Sequence, residues 1–189
     1  MSAWELPTSL EVGGNTYEIR SDFRAVLDIL DACADPEVEY EAKLVIMVRI
    51  LYPEWESIPL KDFREAAEKA SAFIDAGIKS DGKEKVRLLD WEKDAPVMVP
   101  AINDAAGAEI RSLPYLHWWT FLGYYMEIKE SSLFSQILHI RQSKASGKRL
   151  EKWERKFYEK NKKIIDLETR KERSEQEKNE LRALFGFVR

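Results

Sequence analysis

One cysteine, Cys33, and two histidines, His117 and His139, leave this 189-residue chain short of the side chains that build metal centres and nucleophilic sites. A lone thiol cannot close an internal disulfide. Cys33 lies among apolar neighbours in a helical pattern, so a packed structural thiol in a reducing, cytoplasmic setting is expected. No second cysteine and no compact carboxylate set flanks either histidine at metal-ligand spacing, so no metal site is expected. Eight glycines and seven prolines are few for an all-β protein with many tight turns. The glycines make no phosphate-cradling run, since Gly13-Gly14 has no lysine following it at the head of a helix. No apolar run reaches the roughly 20 residues a bilayer requires, and the N-terminal MSAWELPTSLEV lacks the basic and apolar regions of a secretion signal. Neither membrane insertion nor export is expected.

Charge and aromatics are what the chain has in quantity. Charged residues make up 34% and hydrophobic residues 44%, an ordinary core under a heavily charged surface. The net charge of −4 hides a split: Lys144 to Arg173 carries twelve basic and six acidic residues, and everything before it is strongly acidic. Such asymmetry suggests an appendage with partners of its own. The aromatics concentrate in His117–Ile128, HWWTFLGYYMEI, which is apolar on every side and so calls for cover by other helices or a partner.

In chain order, Leu10, Val12, Tyr17 and Ile19 alternate about Gly13-Gly14-Asn15, which predicts a β-hairpin with a positive-φ turn, and Trp4 and Leu6 are placed to anchor the arm to the core. Ser21 is the expected cap of a first helix to about Ala34, and Asp35-Pro36 the start of a second that buries Leu44, Val45, Val48 and Leu51. A third spans Pro59 to Ala76, ended by Gly77. Ile78 to Lys93 reads as a surface loop. A helix over Asp94–Ala106 is short or bent because of Pro100. After the aromatic helix, Ser131 or Ser132 caps another with a stripe of Leu133, Phe134, Ile137, Leu138 and Ile140, and SKASG, Ser143 to Gly147, reads as a hinge. Beyond Lys148 a charged helix carries only Leu150, Trp153, Phe157, Ile164 and Leu167, with Glu151–Arg155 and Glu159–Lys163 as i,i+4 pairs. From Glu168 to Glu180 the stripe vanishes, leaving a solvated stretch before the apolar terminus Leu181, Leu184, Phe185, Phe187 and Val188.

The expectation is a mainly α protein: a helical core domain with an N-terminal hairpin over residues 1–141, and a charged helical arm over 142–189. The arm's stripe is too narrow to bury much, so a chain ending near Ser146 is expected to fold. Asp90, Glu92, Asp94 and Asp104 crowd one region as a candidate acid–base set, but charged loops without a shaped pocket are commoner, and His117 reads as a helix-start histidine before it reads as a base. No catalytic, cofactor-binding or metal-binding residue is assigned. Partner-binding side chains are expected at Trp118, Trp119, Tyr124, Tyr125, Trp153, Phe157 and Ile164. Lys148 to Lys163 interleaves aromatics with basic residues as single-strand binders do, yet Glu151, Glu154 and Glu159 dilute its field, which weighs against nucleic acid.

Five motifs occur in a recognisable order: Trp4-Glu5-Leu6-Pro7, Tyr17-Glu18-Ile19-Arg20-Ser21-Asp22-Phe23-Arg24, Phe73-Ile74-Asp75-Ala76-Gly77, His117-Trp118-Trp119-Thr120-Phe121 and Ile140-Arg141. With them the chain resembles, from Trp4 to about Leu167, the gene product fifteen family of tailed bacteriophages and their prophages. The resemblance implies no reaction and no cofactor. It implies a tail assembly chaperone in the host cytoplasm that holds the tape measure protein until the tail tube polymerises around it, with further copies of itself and other tail assembly proteins as additional partners. Two other readings are a nucleic-acid-binding phage protein that uses the basic arm, and a structural tail component retained in the virion.

Overall fold

The structure, a computed structural model, describes residues 4–76 and 87–167. Seven α-helices and one two-stranded antiparallel hairpin are found there, the mainly α fold that the periodicity predicts. They belong to two compact units: one holds the described residues of Met1–Asp81 with His117–Trp119, the other those of Gly82–Leu116 and Thr120–Thr169. This division does not follow the boundary expected at residue 141. The expected cap at Gly77, the loop residues 78–86, the stretch Glu168–Glu180 and the apolar terminus lie outside the described residues.

In the first unit, β1 (Ser9–Val12) pairs with β2 (Asn15–Glu18) in a register that sets Val12 opposite Asn15. The two-residue turn needs positive φ at both positions, and Gly13 (φ 57) and Gly14 (φ 79) supply it. Leu10 and Val12 bury one face, whereas Trp4 and Leu6, expected against the core, are exposed. Helix α1 (Phe23–Cys33) starts one residue later than Ser21 predicts, because the Asp22 side chain accepts from Arg24 N–H and is the cap. Helix α2 (Tyr40–Leu51) begins well after Asp35-Pro36. The Asp35 carboxylate accepts Glu37 N–H at 2.9 Å, which closes a local turn that competes with helix. At the far end of α2, Arg20 N–H donates to Leu51 O and its guanidinium to Ile50 O at 2.6 Å, so the hairpin's exit satisfies the helix's last carbonyls. Helix α3 (Phe63–Ile74) buries Ala66, Ala67, Ala70, Phe73 and Ile74, and the Tyr52 hydroxyl donates to Ala66 O.

The second unit contains α4 (Ala95–Ala106), most of α5 (Trp118–Met126), α6 (Leu133–Ala145) and α7 (Lys152–Ile165). Helix α4 continues through Pro100 and stops at Gly107 in the left-handed conformation, φ 66. Ser132 caps α6 by accepting Ser135 N–H. The expected hinge is instead a closed helix end: Ser146 N–H donates to Gln142 O, Gly147 N–H to Lys144 O and Lys148 N–H to Ser143 O, with Gly147 at φ 68.

The arm expected to stand apart is packed. Ile165 joins Ile137 and Ile140 in a buried cluster, with Leu150, Phe157, Tyr158 and Val97 against it. Glu154 and Ile165 are the buried residues of α7, which kinks at Asn161, while Trp153 and Ile164 are exposed. Glu151, read as half of an ion pair with Arg155, accepts Trp153 Nε1 instead.

Candidate functional site

Two of the expected binding side chains, Trp118 and Trp119, are structural anchors of the first unit. Trp118 is 2% exposed. Its backbone N–H donates to Ser21 O and its Nε1 to Ile74 O at 2.8 Å, while Trp119 Nε1 donates to Phe73 O at 2.9 Å. Trp119 is half-buried and stacks on the Phe73 ring at 6.0 Å. His117 opens the helix: Nδ1 accepts Trp119 N–H at 3.0 Å, so the ring proton is on Nε2, which donates to Pro7 O at 3.0 Å. Both ring nitrogens are thus committed to structure, in keeping with the helix-start reading.

Further along α5, Tyr125 packs between Trp91 (5.6 Å) and Phe134 (6.0 Å), and Phe121 lies 6.4 Å from Trp91. Burial raises the Tyr125 phenol, and the charge of Asp94 adds to the shift. Trp91 lies in the segment read as surface loop; its indole makes residues 87–93 part of the packing. Tyr124 is half-buried.

Of the four carboxylates considered as an acid–base set, Glu92 is exposed and the other three have separate structural roles. Asp94 (side chain 0% exposed) forms a bidentate pair with Arg141 (5%), at 2.6 and 2.7 Å. Arg141 spends its remaining N–H groups on the carbonyls of Ile165 (2.7 Å), Ile164 (2.7 Å) and Leu88 (2.9 Å), which accounts for all five donors. Asp94 stands at the start of α4, where a helix favours an anion, and Arg141 meets the last carbonyls of α7, where a helix favours a cation. Asp90 pairs with Arg87 and accepts Lys93 N–H, and Asp104 pairs with Lys129.

Beside this knot is a cleft of about 380 Å³ lined by Leu88, Ala145, Ile165 and Leu167, with Arg87, Lys144 and Asp166 at its polar edge. Its charges answer one another. Lys144 Nζ is 2.5 Å from Asp166 Oδ1 and 3.0 Å from the Tyr158 hydroxyl, which itself donates to Asp166 Oδ2. Burial disfavours the Lys144 ammonium, but these hydrogen bonds outweigh it and its pKa lies above the ordinary value. Burial likewise raises the Cys33 thiol, which suits a packed side chain better than a nucleophile. Among the described residues no group of His, Cys, Asp and Glu could hold a metal ion, and no helix is long and apolar enough to cross a membrane.

Of the expected binding residues on α7, Phe157 is packed inward, while Trp153 (51%) and Ile164 (38%) are exposed on one edge. Trp153 lies parallel to the His139 ring at 6.4 Å. His139 Nε2 donates to Glu154 at 2.8 Å, and Glu154 also accepts Glu151 N–H at 2.6 Å, so this carboxylate is turned away from solvent. The backbone hydrogen bond from Glu151, with that of His139 added, holds the Glu154 carboxyl below its ordinary range.

A family model described as Bacteriophage Gp15 protein matches residues 4–167. The chain belongs to this family. Neither a curated protein nor a solved structure matches it. The match ends two residues after α7, so the Asp94–Arg141 knot and all seven aromatic and aliphatic candidates lie within the Gp15 region.

Sequence reasoning missed most of the exposed apolar surface of this Gp15-family chain. Tyr115, Met126 and Leu133 are exposed in the second unit, and Tyr40 (70%) and Leu60 (90%) in the first. Tyr40 carried a legible signal: it stands between Glu39 and Glu41, a setting in which an aromatic has no apolar neighbour in sequence to bury it. Leu133 was assigned to the α6 stripe, but as the first residue of that helix it is exposed.

Proposed function

We propose that this Gp15-family protein is a non-enzymatic tail assembly chaperone that binds the tape measure protein in the host cytoplasm during tail morphogenesis. Membership of the family over residues 4–167 is the observation that carries the reading. The surface agrees with it in kind. Large apolar side chains are exposed on helices and at their ends, several of them beside charged residues, as Tyr40 is between Glu39 and Glu41. Such a surface suits weak, repeated contacts with a long helical client better than capture of a small molecule. The test is co-expression with the tape measure protein of the same phage: the client is expected in the soluble fraction only when this chain is present, and an insoluble or indifferent client refutes the reading. An assembly chaperone is also expected to be missing from purified virions by mass spectrometry, whereas a structural tail component is expected in them.

A second reading has one observation in its favour. With Glu154 turned inward, the solvent face of α7 is more basic than its sequence suggests, which improves it as a phosphate-binding surface. Anisotropy of a labelled oligonucleotide at two salt concentrations decides it. Micromolar binding at physiological salt with a steep salt slope would favour nucleic acid.

A further inference from the structure

Two surfaces of opposite charge, each carrying an exposed aromatic, occur in the two units of this chain. Helix α7 contributes Lys152, Arg155, Lys156, Lys160, Lys162 and Lys163, all exposed. Of its two acidic residues Glu154 is 2% exposed, so only Glu159 and the capping Glu151 offset the outer face. Trp153 and Ile164 supply apolar area along its edge. The opposing surface is the end of α1 and the start of α2: from Ala25 to Ala42 there are no basic residues and six acidic ones, of which only Asp35 is buried. Asp28, Glu39 and Glu41 are exposed there, with Tyr40 between the two glutamates at 70% exposure. Negative charge is crowded at this end of α1. Burial together with the like charge of Asp31 raises the Asp28 carboxyl.

We propose that the basic face of α7 docks on the acidic α1–α2 surface of a second copy of this chain, forming a head-to-tail contact. The two surfaces are opposite in sign, and each carries an exposed aromatic among its charges. A single exposed ion pair contributes little. Several together, with Tyr40 and Trp153 removed from water, give a weak contact whose charges steer encounter and fix its register. Because the two patches differ, the contact is heterologous: each copy that docks leaves one patch of either kind open, so association grows with concentration unless the rotation closes a ring. This inference stands apart from the tape measure reading, and either can fail alone.

Sedimentation of the full chain tests it. The weight-average mass is expected to rise with concentration at about 10 mM salt and to return to that of one chain at about 1 M, as the screening length falls from about 30 to about 3 Å. The triple variants Lys152→Glu/Lys156→Glu/Lys160→Glu and Asp28→Lys/Glu39→Lys/Glu41→Lys are each expected to stay single. Mixed together they are expected to associate again, because one retains the acidic surface, the other retains the basic one, and the reversed pair is complementary too. All six positions are exposed, and near-native melting temperatures check that the variants fold; Lys→Gln and Glu→Gln versions read the same loss should a reversal misfold. A wild-type chain that stays single at low salt, variants that still associate, or a mixture that does not recover would each overturn the proposal. So would an oligonucleotide that binds α7 while no self-association occurs.

Discussion

Replacing Arg141 by methionine tests how α7 is held. The substitution keeps an unbranched stem of similar reach and deletes a guanidinium whose five donors are all engaged, two by Asp94 and one each by Leu88, Ile164 and Ile165. Asp94, with no exposed side-chain surface, is then left with Asp90 N–H at 3.0 Å as a neutral donor. Removing one partner of a buried pair costs about 3–5 kcal/mol, a large share of the roughly 5–15 kcal/mol that holds a typical domain together. Because the lost bonds end on α7, hydrogen exchange resolves the effect where a melting curve would average it. Amides of Lys152–Ile165 are expected to exchange roughly a hundred- to several-thousandfold faster, with α1–α3 unaffected. Adding Asp94→Leu removes the stranded charge and should recover only part of the loss, since the three carbonyls still lack donors at about 1–3 kcal/mol each. Unchanged protection of α7 in Arg141→Met, or a loss below about 1 kcal/mol, would refute the assignment of this knot as what fastens the helix.

Trp118→Ala is expected to cost about 3–5 kcal/mol and Trp119→Ala, half-buried and stacked on Phe73, about 1–2 kcal/mol; equal losses in urea unfolding would contradict the difference in their burial. Gly13→Ala is expected to destabilise more than Gly14→Ala, because both force a left-handed residue but only the first drives a Cβ to 2.6 Å from the Asp62 carboxylate; thermal melts of the two variants compare them directly. The folded-state pKa of Glu154 is depressed, so its contribution is present above the ordinary glutamate value and is lost as pH falls through the lower folded value. Stability of wild type relative to Glu154→Gln is therefore expected to shrink on acidification below about pH 4.5, measured by melting both across that range. A chain ending at Ser146 is expected to lose the cooperative unfolding of its second unit in near-UV circular dichroism, since Ile137 and Ile140 lose Ile165, and Arg141 loses two of its carbonyls.

That last expectation reverses the one drawn from sequence, and the reason lies in particular residues. Where an element buries its own apolar stripe, periodicity located it: α3 with its alanines and Phe73, α6 with Phe134, Ile137 and Ile140, and the hairpin through its paired glycines. Helix α7 was misjudged because its narrow apolar contact is joined by a polar attachment. Arg141, Asp94 and the carbonyls of Ile164 and Ile165 are far apart in sequence, and each read singly is a surface charge or an ordinary backbone group. Glu154 misled for the same cause, since a glutamate in a lysine-rich run gives no sign that a backbone N–H and a histidine draw it inward. The aromatic block was legible as a place of burial but not as a place of anchoring. Nothing in HWWTF indicates that its hydrogen-bonding groups reach back to Pro7, Ser21, Phe73 and Ile74. Exposed side chains such as Tyr115 and Met126 were lost against a stretch that is apolar throughout.

The first unit is discontinuous, and this has a consequence for the chain as it is made. Residues up to Asp81 emerge without His117–Trp119, and at a synthesis rate of about 5–20 residues per second the 35 residues between them take about 2–7 s to add. During that interval the carbonyls of Pro7, Ser21, Phe73 and Ile74 have water where the later segment will donate, and the Phe73 ring lacks its stacking partner. The nascent half is therefore a partly open layer of helices that waits for three residues from beyond its own end. Its period of greatest exposure to aggregation is set by the ribosome's pace rather than by its own folding rate.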